Sequence, residues 1–206
     1  SILASIKVKC PSDYRGLSGD SRHALLKGLR MIPELGQLAL SLSLFVSFSL
    51  AVLGLAGPQL GVPLWVRLAR PLALTLFSLL AAAFFCLTWS FVTNDFSVAY
   101  VAGHSNTQLP LEYRFGAVWG GHEGSLLLWV FMLTAWAGAV AVFSRSLPTD
   151  MVSRVLGVLG LVSFGFILFI LFTSNPFTRL LPAVMEGRDL NPLLQDPGLV
   201  YHPPML

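Results

Sequence analysis

The chain has 206 residues, of which 55% are hydrophobic and only 11% are charged, and its mean hydropathy is +0.74. Because soluble domains carry roughly 25% charged residues, this composition excludes a soluble globular protein and indicates an all-α polytopic membrane protein. The formal charge of +3 is concentrated in the first thirty residues, so no basic surface for nucleic acid remains in 31–206.

Residues 1–30 carry six basic and two acidic side chains and lack the apolar segment of a signal peptide. The hydrophobic sequence starts at Met31, where Pro33 and Glu34 suit the first turn of a helix. We therefore interpret Met31 as the natural initiator and 1–30 as a basic extension outside the domain at 31–206. The alternative is a basic cytoplasmic tail.

Thiol and zinc chemistry are not indicated. Cys10 and Cys86 stand alone, without a CxxC motif or metal-ligand spacing.

About four transmembrane helices are predicted from apolar runs of the length that crosses a bilayer, at 36–57, 71–93, 124–143 and 155–173. The connections 58–70 and 144–154 are short and each contains two arginines, so the positive-inside rule places them in the cytoplasm. Two outward-facing loops follow, 94–123 and 174–206, and in a bacterium they face the periplasm. The start of the first span then lies outside as well.

The loop 94–123 is long and rich in aromatic residues, so we expect it to fold onto the membrane surface. Arg114 is expected to form a structural salt bridge with Asp95 or Glu123. His104 lies in a polar turn and is expected to be solvated.

The third span opens with Trp119-Gly-Gly-His-Glu-Gly-Ser-Leu-Leu-Leu-Trp129. His122 and Glu123 lie at the membrane threshold, where ionisable groups are functional candidates. On a continuous helix one face would carry Trp119, His122, Leu126, Trp129, Leu133 and Trp136. This aromatic stripe could face a cofactor. The alternative, which the spacing alone favours, is that it packs on a neighbouring helix.

Small residues are expected to let the spans approach closely. The positions concerned are Gly120 and Gly124 at the start of the third span, and Gly157, Gly160 and Gly165 in the fourth.

The last segment contains prolines at 192, 197, 203 and 204, which exclude a long helix. His202 directly precedes Pro203 and is therefore predicted to be extended. Neutral imidazole is a good axial ligand for haem iron, although a lone loop histidine is usually not a ligand.

Five motifs together resemble the amino-terminal part of CcmF-type cytochrome c biogenesis proteins and the related NrfE. They are Met31-Ile-Pro-Glu-Leu-Gly, Asn94-Asp-Phe-Ser-Val-Ala-Tyr-Val-Ala, the Trp119–Trp129 motif, Leu171-Phe-Thr-Ser-Asn-Pro-Phe, and Asn191-Pro-Leu-Leu-Gln-Asp-Pro-Gly continuing to His202-Pro-Pro-Met. The resemblance covers nearly all of 31–206 and does not include 1–30.

The resemblance implies a component of the cytochrome c maturation haem lyase in the bacterial inner membrane. Haem b arrives from a CcmE-type chaperone, is held on the periplasmic side, and is joined to a CxxCH apocytochrome c that a CcmH-type thioreductase presents. The family holds haem with two outward histidines, and His202 matches the first. Trp119, His122 and Glu123 are candidate supporting residues, with no catalytic residue assigned. His104 departs from the family, where an amide is more usual.

The Trp-rich domain and the second histidine of the family lie beyond Leu206 in its members. We therefore expect a fragment or the product of a split gene, inactive by itself. One alternative is a structural membrane scaffold that docks haem-delivery and thioreductase partners without binding haem. Another is a translocating subunit, which the absence of charges at mid-span disfavours.

Overall fold

The computed structural model describes residues 31–180, 182–195 and 198, so residues 1–30 and His202 lie outside the described part. The helices are α1 (Ile32–Leu60), α2 (Pro63–Val92), α3 (Ala99–His104), α4 (Leu111–Ala117), α5 (His122–Phe143) and α6 (Thr149–Thr173), followed by a 3-10 turn at Pro192–Gln195. Four of them, α1, α2, α5 and α6, are long and apolar enough to cross a membrane. The prediction of an all-α polytopic membrane protein is confirmed.

The four long helices form a bundle in which α1 packs against α2 and α6, and α5 packs against the same two helices. Each contributes a stripe of buried residues, including Leu40 and Leu50 of α1 and Leu76 of α2. At the crossing of α1 and α6 the backbones touch, because a Cβ atom on Gly54 would lie 2.7 Å from the Gly157 Cα.

The close-approach prediction is confirmed for two of the α6 glycines and wrong for the third. Gly157 faces Gly54, and a Cβ atom on Gly160 would lie 2.8 Å from the Leu50 side chain. Gly165 is exposed, and no atom lies within 4 Å of an added Cβ.

The helices extend beyond the predicted spans, most of all at the start of α2. Gly61 turns the chain with a φ of +66°, and Pro63 begins the helix eight residues before the predicted boundary. Arg70 lies within α2 and donates hydrogen bonds to the carbonyl oxygens of Ala141 at 2.8 Å and Ser144 at 2.9 Å. Ala141 lies in the last turn of α5 and Ser144 follows that helix, so Arg70 supplements the few backbone donors that the end of a helix offers to its carbonyls; the Ser144 carbonyl also accepts from the Leu147 amide at 3.3 Å.

The predicted packed stripe on the third span is wrong in two respects. The helix α5 begins at His122, so Trp119 precedes it and is half-buried against the core. Trp129 and Trp136 are 51% and 72% exposed, so they face away from the bundle instead of packing on a neighbouring helix.

Candidate functional site

One end of the bundle consists of the start of α1, residues 93–121 and the described residues of 174–195. We call it the outer face because the predicted topology turns this end outward. Its centre is Arg179, whose guanidinium lies 2.6 Å from a Glu34 carboxylate oxygen and 3.3 Å from one of Asp95, and which also donates to the Ser97 hydroxyl. Beside it the Leu180 amide donates to the Ser97 carbonyl at 2.8 Å. Three separate parts of the chain are thereby joined at one end of the bundle.

The predicted salt bridge of Arg114 is wrong. Its guanidinium donates to the backbone carbonyls of Leu109 at 2.9 Å, Thr107 at 3.1 Å and Val92 at 3.3 Å. Arginine has five N–H donors, and here they satisfy carbonyls that the tight loop leaves without a helical partner. Asp95 is paired with Arg179 instead.

A second set of contacts ties the final segment to the loop after α3. Glu186 accepts hydrogen bonds from the Thr107 amide at 2.8 Å and the Thr107 hydroxyl at 3.0 Å, which lowers the pKa of Glu186. Asn106 hydrogen-bonds Asp189, and the Arg188 amide donates to the Ala102 carbonyl at 2.7 Å. The outer loops are therefore folded, as expected, although their position on a membrane surface remains a prediction.

The turn before α5 is held by Tyr100. Its buried hydroxyl donates to the Val118 carbonyl at 3.0 Å and accepts from the Gly121 amide at 3.0 Å. Burial raises the pKa of Tyr100 well above its usual value of 10.0, so the phenol remains a proton donor. A Cβ atom on Gly124 would clash with the Val118 carbonyl oxygen and would lie 2.6 Å from the Tyr100 hydroxyl.

Gly124 thus makes room for the turn before α5 and for Tyr100 of α3, not for another transmembrane helix. The prediction that it lets two spans approach closely is therefore wrong. Tyr100 belongs to the motif at 94–102, but the sequence alone predicts no role for it. An aromatic residue in a loop does not reveal from sequence which backbone groups its hydroxyl will reach.

His122 and Glu123 open α5 on the outer face. His122 is exposed, and its Nδ1 lies 2.9 Å from the hydroxyl oxygen of Ser174, the residue that ends α6. Its ring meets that of Phe169 edge-on at 6.0 Å. Among the described residues the His122 Nε2 forms no hydrogen bond and Glu123 forms no ion pair. Within the described residues the start of α5 therefore carries an imidazole nitrogen without a hydrogen bond and a carboxylate without an ion pair, three and four residues after half-buried Trp119.

His104 is only partly exposed and packs in a helix, whereas a solvated histidine in a turn was expected. It is the last residue of α3, with Nδ1 3.0 Å from the Tyr100 carbonyl oxygen and its ring 4.6 Å from the Tyr100 ring. A Cβ atom on Gly121 would lie 2.7 Å from the His104 Nε2, so the imidazole packs behind the turn before α5.

A family model described as cytochrome C assembly protein matches residues 119–206. The chain is 59% identical over 177 residues to the cytochrome c-type biogenesis protein CcmF of Pseudomonas aeruginosa and 46% identical over 180 residues to NrfE of Haemophilus influenzae. The chain belongs to the CcmF/NrfE family of cytochrome c-type biogenesis proteins. The solved structure of a cytochrome c heme lyase CcmF resembles it with a TM-score of 0.65 and 31% identity, covering 71% of this chain and 24% of that one.

The chain spans about a quarter of the length of the CcmF and NrfE relatives, since the match covers 85% of this chain and 27% of the Pseudomonas protein. The predicted resemblance to one part of a CcmF/NrfE protein is confirmed. The matched family region begins at Trp119 and includes the turn before α5, the helices α5 and α6, and the segment that contains His202.

His202 lies outside the described residues. The described chain leading to it is anchored at Leu190, whose side chain is fully buried and whose carbonyl accepts from the side-chain amide nitrogen Nε2 of Gln195 at 3.2 Å. Within the described residues no group of three or more His, Cys, Asp or Glu side chains could hold a metal ion.

Proposed function

We propose that the chain is the part of a cytochrome c haem lyase that receives haem on the periplasmic side of the bacterial inner membrane, for covalent attachment to a CxxCH apocytochrome c. Membership of the CcmF/NrfE family is the observation that carries this proposal. The location of His122, Glu123 and the Arg179 ion pairs at one end of the bundle supports it, since that end can face a single compartment.

In this proposal haem is a substrate, and His202 is the axial ligand of its iron. Imidazole binds iron through one ring nitrogen, and Pro203 favours an extended backbone that projects the ring from the chain. The segment before His202 is tied to the outer face through Glu186 and Arg188.

Trp119, His122 and Glu123 would support haem or the protein that delivers it. Ser174 occupies Nδ1 of His122 and so fixes the ring orientation, which leaves Nε2 for a haem propionate or a partner. Half-buried Trp119 lies three residues before this imidazole and packs against the core. We propose that a CcmE-type chaperone and a CcmH-type thioreductase dock on the outer face.

The test is a chimaera in which residues 31–206 replace the matching quarter of Pseudomonas aeruginosa CcmF, with matured cytochrome c measured by haem staining. We expect the chimaera to mature cytochrome c and His202→Ala to abolish maturation. His202→Gly should recover part of the activity when imidazole is added.

The matched control is His104→Gln, which removes another outer histidine and should leave haem attachment largely intact. Normal maturation in the His202→Ala chimaera would end the ligand assignment. The structural scaffold, which docks the same partners without binding haem, would then be the better description.

A further inference from the structure

The opposite end of the bundle, here called the inner face, contains a cavity of about 160 Å³ between the first turns of α2 and α6. Its polar lining consists of Arg67, Arg70, Thr149 and Ser153, and its remaining wall is apolar and includes Val152. The volume is comparable to that of a cavity of about 150 Å³ that accepts a benzene ring. A phosphate group with part of a glycerol fits a space of this size.

The positive charge of this cavity is not neutralised within the described part of the chain. Arg67 is exposed and forms neither a hydrogen bond nor an ion pair there. Arg70 donates two hydrogen bonds to the carbonyls of Ala141 and Ser144, which fixes its guanidinium. Three of its five N–H groups are left to bind an anion. Asp150, the acidic residue in the first turn of α6, lies within 4.0 Å of no arginine in the described residues.

The start of α6 adds further donors. No side chain caps this helix, and the Val152 amide makes its first backbone bond, to the Pro148 carbonyl at 3.2 Å. The preceding amides have no helical acceptor and carry the positive end of the helix dipole. The Ser153 hydroxyl is already bonded to the Gly54 carbonyl at 3.1 Å, whereas the Thr149 hydroxyl has no partner among the described residues.

We propose that this cavity binds the phosphate group of an anionic phospholipid, of the phosphatidylglycerol type, from the predicted cytoplasmic leaflet. Basic pockets between membrane helices on that side suit anionic head groups. The apolar wall favours a lipid over free phosphate, because it can cover the glycerol and the start of the acyl chains. The positive-inside rule by itself accounts for arginines at this end of the bundle. It does not account for the fixed position of Arg70 beside a cavity.

The experiment uses the full 206-residue chain in detergent, with bound lipid measured by native mass spectrometry. Phosphatidylglycerol and phosphatidylcholine with identical acyl chains are titrated separately, and inorganic phosphate is added in a third series. We expect retention of phosphatidylglycerol in preference to phosphatidylcholine, and little displacement by inorganic phosphate. Arg67→Gln should weaken phosphatidylglycerol binding about fivefold, the effect of one arginine near an anionic membrane surface.

Arg145→Gln is the matched control, because Arg145 is an exposed arginine at the same end that does not line the cavity. It should change the affinity by less than about twofold, while Thr149→Val should lower it about threefold through the lost hydroxyl donor. Circular dichroism checks that each variant keeps its helix content. Equal binding of the two lipids, or equal losses in the Arg67 and Arg145 variants, would overturn the proposal. Displacement by inorganic phosphate at low concentration would assign the cavity to a free anion and would also overturn it.

Discussion

Arg179 binds Glu34 with a nitrogen–oxygen distance of 2.6 Å, although the two residues are 145 positions apart in the chain. The same guanidinium contacts Asp95, which follows α2. The start of α1, the end of α2 and the segment after α6 are therefore joined at one point. A single arginine holds together the outer ends of three transmembrane helices.

Arg179→Gln should lower the free energy of unfolding by about 2 kcal/mol, because it removes charge-assisted hydrogen bonds to Asp95 and Ser97 as well as the Glu34 pair. Glu34→Gln should lower the free energy of unfolding by less than about 1 kcal/mol, since that carboxylate is half exposed. Thermal unfolding in detergent measures both. Arg188→Gln serves as the control. An equal loss of stability in that variant would contradict the conclusion that the contacts of Arg179 stabilise the bundle.

Tyr100→Phe should destabilise the turn before α5, because the Val118 carbonyl and the Gly121 amide lose their shared partner in a buried site. The expected cost is about 1–3 kcal/mol. Tyr113→Phe is the matched control, since its ring also packs against the core but its hydroxyl makes no hydrogen bond within the described residues. Equal melting temperatures for the two variants would refute the role of the Tyr100 hydroxyl.

Tyr100 also predicts a dependence on alkaline pH. Burial raises its pKa above 10.0, so the folded protein keeps the phenol proton at a pH where the unfolded chain loses it. Unfolding then releases a proton, and stability should decrease as the pH rises above about 10. Melting temperatures measured from pH 8 to 11 should show this decrease in the parent chain, and a smaller decrease in Tyr100→Phe.

Gly124→Ala should prevent the correct turn before α5, because the added methyl group would collide with the Val118 carbonyl oxygen. Gly165→Ala provides the comparison within a transmembrane helix, since nothing lies within 4 Å of its added Cβ atom. We expect poor accumulation of the first variant in membranes and normal accumulation of the second. Immunoblotting of isolated membranes measures both, and similar levels would contradict the tight packing of the turn.

His122→Gln and Glu123→Gln should have modest effects on stability and leave haem transfer largely intact in the chimaera, if these residues shape the entrance of α5. Ser174→Ala, which removes the His122 partner, should then resemble His122→Gln. Haem staining compared with the protein level separates folding from transfer. Normal protein levels with abolished transfer would instead assign these two residues to the handling of haem or its chaperone.

The sidedness of the bundle can be tested directly. The turn at Gly61 and the connection after Phe143 lie at the end opposite Arg179, so Arg67 and Asn106 should be on different sides of the membrane. Reporter fusions at these two positions should give opposite signals. Signals from the same side would refute the topology.

The sequence was sufficient to predict the four spans, because runs of about 20 apolar residues have few alternatives to a membrane helix. It misplaced the start of α2, because Arg67 and Arg70 looked like loop residues. A helix can retain such charges near its end when they reach water or, as with Arg70, carbonyl oxygens at the end of a neighbouring helix.

The site was predictable only in part. His122 and Glu123 were correctly placed at the start of the third long helix, since charge next to an apolar run marks a boundary. The pairing of Asp95 with Arg179 was missed because it joins positions 84 residues apart. The exposure of Trp129 and Trp136 was missed as well, because helical spacing shows which residues share a face but not what that face contacts.

The closely held ends of the segment 180–188 have a practical consequence for labelling the protein. The Leu180 and Arg188 amides both bond to carbonyls of the stretch 97–102, whereas Pro182–Glu186 is exposed throughout and Met185 is 98% exposed. Extra residues inserted between Val184 and Met185 would extend into solvent without moving either anchor, since surface loops with fixed ends tolerate insertion. This position is therefore a suitable place for an epitope or fluorophore that reports on the outer face while the helices keep their packing.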